Sequence, residues 1–95
     1  MSLSALLGAL AREANSAAIM VEETHFSRIG YCAHKAELFR LAADGFAQAA
    51  AHETESANMV QVWQSRATKA AASADFWERH ARLYEEIEAI TFEPA

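Results

Sequence analysis

The sequence predicts an all-α chain, a small antiparallel bundle of about four helices, and three observations predict it. Strand and turn vocabulary is scarce: 95 residues contain three glycines, one proline and eleven β-branched side chains. The strongest helix former, alanine, occurs 23 times, accompanied by Leu, Glu, Gln and Arg. Apolar residues also recur at alternating spacings of four and three along most of the chain, the period of a helix with one face against a neighbour.

The first helix is expected over 3–24, where Leu3, Leu7, Leu10, Ala14, Ala17 and Val21 form a stripe that Leu6 and Ala18 widen. Thr24, Ser27 and Gly30 then gather as cap and breaker residues, which places the first turn between Thr24 and Gly30. The second helix is expected over 31–52. Tyr31, His34, Leu38, Leu41, Gly45 and Ala49 make one stripe, and Cys32, Phe39, Phe46 and Ala50 make another, so this helix needs cover on two sides. Asp44-Gly45 is tolerated inside it at a cost of about 1 kcal/mol or less relative to alanine.

Neither Gly nor Pro marks the next junction, but an unbroken rod over 31–72 would run about 60 Å. That length argues for a break near 53–57, with Thr54, Ser56 or Asn58 as the cap of a third helix over 57–72, carrying Met59, Val62, Trp63, Arg66 and Ala70. Asp75 and Glu78 then form an Asp-x-x-Glu capping pattern before a fourth helix over 75–91, whose seam is Phe76, His80, Leu83, Ile87 and Ile90, flanked by Trp77 and Tyr84. Residues 1–2 and 92–95 are expected as flexible tails. The alanine runs at 47–51 and 70–74 read as helix filler or as surfaces for close helix approach.

The chain is short enough for a single domain spanning 1–95, since compact domains commonly hold about 100–150 residues. Its core is expected to be thin, because Leu, Ile, Val and Phe together number only 19. A thin core and a two-faced second helix together favour completion by oligomerisation.

Thirteen acidic and eight basic side chains give a net charge of −5, which offers no footprint for nucleic-acid phosphates. Acidity concentrates at the end, where Glu85, Glu86, Glu88 and Glu93 follow Tyr84 with no basic residue among them. The one cysteine, Cys32, allows no intrachain disulfide, and no uncharged apolar run approaches the roughly 20 residues of a membrane span. A cytoplasmic location is the expectation.

Enzymatic chemistry is not expected: no Gly-x-Ser-x-Gly, phosphate loop or Cys-x-x-Cys is present. Around His34, Glu37 and Leu38 stand where histidine phosphotransfer bundles carry Lys and Gly, and a carboxylate there would repel a phosphoryl group. His25, Cys32 and His34 could approach a metal only through a turn near Gly30, and they lack a fourth ligand. Glu22 and His25 form one Glu-x-x-His, a spacing used in di-iron bundles, with His52 and Glu53 as further candidate ligands. In length and helicity the chain is similar to short ferritin-like half-bundles, which implies an Fe, Mn or Zn site completed by dimerisation.

The reading these residues favour is a non-enzymatic helical assembly module without a cofactor, pairing with a second copy or a partner helix. Its candidate interface residues are Leu38, Leu41, Trp63, Phe76, Trp77, Leu83 and Ile87, with the two tryptophans as anchors. His80, alone on the last seam, would weaken an interface on protonation if buried there in its neutral form. The metal-binding half-bundle using Glu22, His25, His52 and Glu53 is the alternative.

Overall fold

A computed structural model describes residues 2–92. The described chain is all-helical, as expected, but it contains three long helices: α1, Leu3–Met20; α2, Arg28–His52; and α3, Ala57–Phe92. A short 3-10 turn, Glu23–His25, lies between α1 and α2. The molecule measures 63 × 20 × 13 Å between Cα extremes.

The expected third and fourth helices are one. Nothing between 72 and 75 stops a helix there: the segment is alanine-rich, and Asp75 and Glu78 do not cap a helix start. They accept hydrogen bonds from the same Arg40 Nη2, at 2.7 and 3.0 Å, and so tie α3 to α2. The length argument also changes. A rod of about 54 Å is present, because 36 residues at 1.5 Å each require it, and the molecule is elongated to match.

The break expected near 53–57 is present, and Ser56 caps α3 by accepting the Met59 N–H at 3.2 Å. At the other turn the expected boundaries move. α1 stops at Met20, four residues early, because the Lys35 ammonium takes the carbonyls of Ala18 at 2.8 Å and Ile19 at 3.5 Å. A cation on the last carbonyls satisfies orphan acceptors and the negative end of the helix dipole together. α2 begins three residues earlier than expected, with Ser27 accepting the Gly30 N–H at 3.0 Å. Ser2, expected in a tail, caps α1 by accepting the Ala5 N–H at 3.2 Å. Phe92 ends α3, and 93–95 lie outside the described residues.

α2 is the central helix and runs antiparallel to both neighbours. Ser4 meets Glu53 at one end of the α1–α2 pair and Ala18 meets Lys35 at the other. Phe46 meets Trp63 and Tyr31 meets Trp77 along the α2–α3 pair. The core is thin, as the composition implies, and it is largely alanine. One cluster joins Ala11, Ala42, Ala49 and Ala70 around the stacked rings of Phe46 and Trp63. A second joins Ala18, Phe39 and Ala74.

The alanines at 42, 49, 70 and 74 are therefore close-approach surfaces, whereas Ala47, Ala51 and Ala72 are exposed filler. Two helix glycines serve the same end. A Cβ at Gly45 would come within 2.8 Å of the Ala11 Cβ, and one at Gly8 would land on the Trp63 indole. Asp44-Gly45 accordingly leaves α2 unbroken, with the glycine admitting α1.

Candidate functional site

On α3 two stripes compete for the interior. Trp63, Ala70, Ala74 and Ala81 are buried and Trp77 is half-buried, so the inward stripe is mostly small. The four-three seam of Phe76, His80, Leu83, Ile87 and Ile90 is turned away from α2. Exposures of 44 % at Phe76 and 51 % at Leu83 show this beside α2, and from Glu85 to Ile90 every side of α3 is exposed. The seam's spacing was legible in the sequence, but its direction was not. The small residues face α2 because they let two helix backbones come together, and the larger aliphatics then fall on the outer side.

His80 is half-buried on this seam. Its Nδ1 donates to the Phe76 carbonyl at 2.9 Å, and its ring lies over that of Phe76 with centroids 4.1 Å apart. The ring also lies 5.7 Å from Trp77, whose indole meets Tyr31 and Phe76 edge-on. The outer seam is thus continuous with an aromatic group that reaches back to α2.

The remaining candidate interface residues fall in different places. Leu41 is exposed on the side of α2 away from Phe39 and Phe46. It forms the ridge between an α1–α2 groove of about 560 Å³ and an α2–α3 groove of about 530 Å³. Leu38 lies in the first of these and packs partly against the second core cluster. Trp63 cannot serve as an exposed anchor. It is 7 % exposed and stacked on Phe46 inside the chain, because Gly8 leaves room for its indole.

The candidate metal ligands are not brought together within one chain. Glu22 and His25 stand 3.7 Å apart and exposed beside the 3-10 turn. His52 and Glu53 lie at the other end of α2, a distance of about 36 Å for 25 helical residues. Glu53 is also engaged. It accepts the Ser4 hydroxyl and the Glu55 N–H, each at 3.0 Å, and the Glu55 N–H is the main cause of its lowered pKa, with Ser4 second. Among the described residues no group of three or more His, Cys, Asp or Glu side chains is placed to hold a metal ion. Cys32 is buried, and burial pushes its thiol pKa up, with Glu23 adding to the effect. His34 stacks on Phe26 with centroids 5.2 Å apart.

Sequence reasoning missed Lys35. Its side chain is buried, with the ammonium 5.3 and 5.1 Å from the ring centroids of Tyr31 and Trp77. The signal was present, since Lys35 falls on the stripe of Cys32, Phe39, Ala42 and Phe46 that α2 buries. No described helix is long and apolar enough to cross a membrane. No family model matches the chain, and no curated protein or solved structure matches it.

Proposed function

We propose that the protein is a non-enzymatic assembly module whose partner is a second copy of itself, joined along the outer seam of α3. The observation that carries this reading is the direction of that seam. Phe76, His80, Leu83, Ile87 and Ile90 keep a strict four-three alternation, the spacing that lays one helix along another, on a face that α2 does not cover.

Charge selects an orientation. At the positions flanking the seam, Arg79 stands beside the first half and Glu86 beside the second. Copies running antiparallel and centred on Leu83 set Arg79 of one beside Glu86 of the other, twice over, whereas a parallel pair leaves both charges without an opposite one. A twofold pairing of this kind is self-complementary, and small soluble proteins most often assemble that way.

Light scattering coupled to size exclusion tests the reading. The native chain is expected to have the mass of a dimer at micromolar concentration. Leu83→Glu is expected to have the mass of a monomer with unchanged helical circular dichroism. A native chain that is monomeric at that concentration overturns the proposal.

A further inference from the structure

We infer that the groove between α1 and α3 binds a small organic anion, a carboxylate or phosphate head group carried on a flat apolar body. The groove holds about 450 Å³, within the usual size range of small-molecule sites. α1 contributes Arg12, Asn15 and Ser16 to its walls, and α3 contributes Arg66, Lys69 and Ser73. Its floor is made by Phe39 and Phe46 of α2.

Three features set this groove apart from a solvated charged surface. The first is concentration of charge: three of the eight basic residues in a chain of net charge −5 line one groove, and no carboxylate lines it. The second is that none of these three cations is paired with a carboxylate among the described residues. Among the described residues, Arg12 and Lys69 have no carboxylate within 4 Å, and Arg66 lies with its guanidinium 5.2 Å from the Trp63 ring centroid. Arg40, by contrast, is committed to two carboxylates. The nearest acidic side chain in sequence, Glu13, lines the α1–α2 groove and shares a shallow depression with Arg12 and Ser16, without entering the α1–α3 groove.

The third feature is the pairing of charge with exposed apolar surface at Ile19. Guanidinium and ammonium groups on opposing helices can hold an anionic head from two sides, with hydroxyls and an amide supplying further donors. Ile19, 62 % exposed in the groove wall, offers aliphatic surface to the apolar part, and Phe39 and Phe46 lie nearly buried beneath it. Three cations over one short groove suit a single head group rather than a nucleic-acid backbone, which demands a longer basic track. The groove draws on the first part of α3, so it stands independently of the seam at 76–90.

The probe is 1-naphthyl phosphate, titrated into the full chain and followed by amide chemical shifts and calorimetry. Saturable binding is expected, with the largest shifts at Ser16, Lys69 and Ser73. The double variant Arg66→Gln, Lys69→Gln keeps good helix formers at exposed positions and is expected to bind at least about tenfold more weakly. 1-Naphthoate separates the head groups: binding by both assigns the site to anions generally, and binding by one identifies its class. Neutral 1-naphthalenemethanol is expected to bind far more weakly than either. The inference is overturned if neither 1-naphthyl phosphate nor 1-naphthoate gives saturable shifts at millimolar concentration, if the double variant binds the anion equally well, or if the neutral alcohol competes equally.

Discussion

The two parts of α3 carry the same apolar period and put it to opposite uses. From Met59 to Ala74 the one very large side chain, Trp63, turns inward, stacks on Phe46 and fills the space that Gly8 leaves. From Phe76 to Ile90, Phe76 and the large aliphatics turn outward, while Ala81 and the half-buried Trp77 face α2. The difference teaches that apolar spacing identifies a helix face without saying which neighbour covers it. Where Gly8 of α1 leaves a gap beside α2, the large residue enters. Where alanines meet alanines, the backbones close up and larger residues on the same helix are displaced to the outside.

The largest expected effect breaks this comparison most directly. Trp63→Ala, made in the Leu83→Glu background so that assembly does not contribute, is expected to cost about 3–5 kcal/mol of chain stability in urea unfolding. Ile90→Ala in the same background is expected to cost well under half of that, since about three-quarters of the side chain is already in water. Equal losses would show that the two parts of α3 are not used differently.

Lys35→Met tests the other end of the core. Removing charge-assisted bonds to the Ala18 and Ile19 carbonyls is expected to cost about 1.5–3 kcal/mol. Hydrogen exchange is expected to show the loss concentrated in the last turn of α1, whereas uniform exchange along α1 would deny Lys35 its capping role.

Arg40→Ala is smaller, about 1 kcal/mol or less. Its partners Asp75 and Glu78 are well solvated, and screening reduces the value of the network. Chemical denaturation at low and high salt checks this, with the difference from the native chain expected to shrink as salt rises.

The smallest effect concerns Glu53. Donation from the Glu55 N–H, and then from the Ser4 hydroxyl, favours its carboxylate, so its folded pKa lies below the ordinary glutamate value of about 4.3. A depressed folded pKa means that this contribution to stability is present above the unfolded value and is lost as pH falls through the folded one. Side-chain carbon shifts of Glu53 are expected to titrate below the ordinary range, and Ser4→Ala is expected to move the midpoint upward. An unmoved midpoint would remove the Ser4–Glu53 link as an influence on its titration.

Much of the fold was legible in the residues. The helical class follows from alanine abundance and the scarcity of glycine, proline and β-branched residues, and the Ser56 junction follows from the cap residues around it. The candidate site was legible only in part. The seam at 76–90 could be read from spacing, but Trp63 reads equally well as an interface anchor or a core residue until Gly8, 55 residues away, is brought beneath it. The cationic groove joins α1 to α3 across the whole of α2, and no local pattern shows Arg12 beside Lys69.

The sequence by itself determined local matters: helix in nearly every segment, a thin core, caps at Ser27 and Ser56, and an acidic end. These depend on backbone propensity and on side chains within a turn of one another. Only the tertiary structure decided where α1 stops, whether Asp75 and Glu78 open a helix or bind Arg40, and which stripe of α3 is buried. Each of those outcomes is set by a group far away in sequence: the Lys35 ammonium, the Arg40 guanidinium and the small-residue face of α2. Hydrogen bonds and close packing act across short distances in space, and the fold alone makes those distances short.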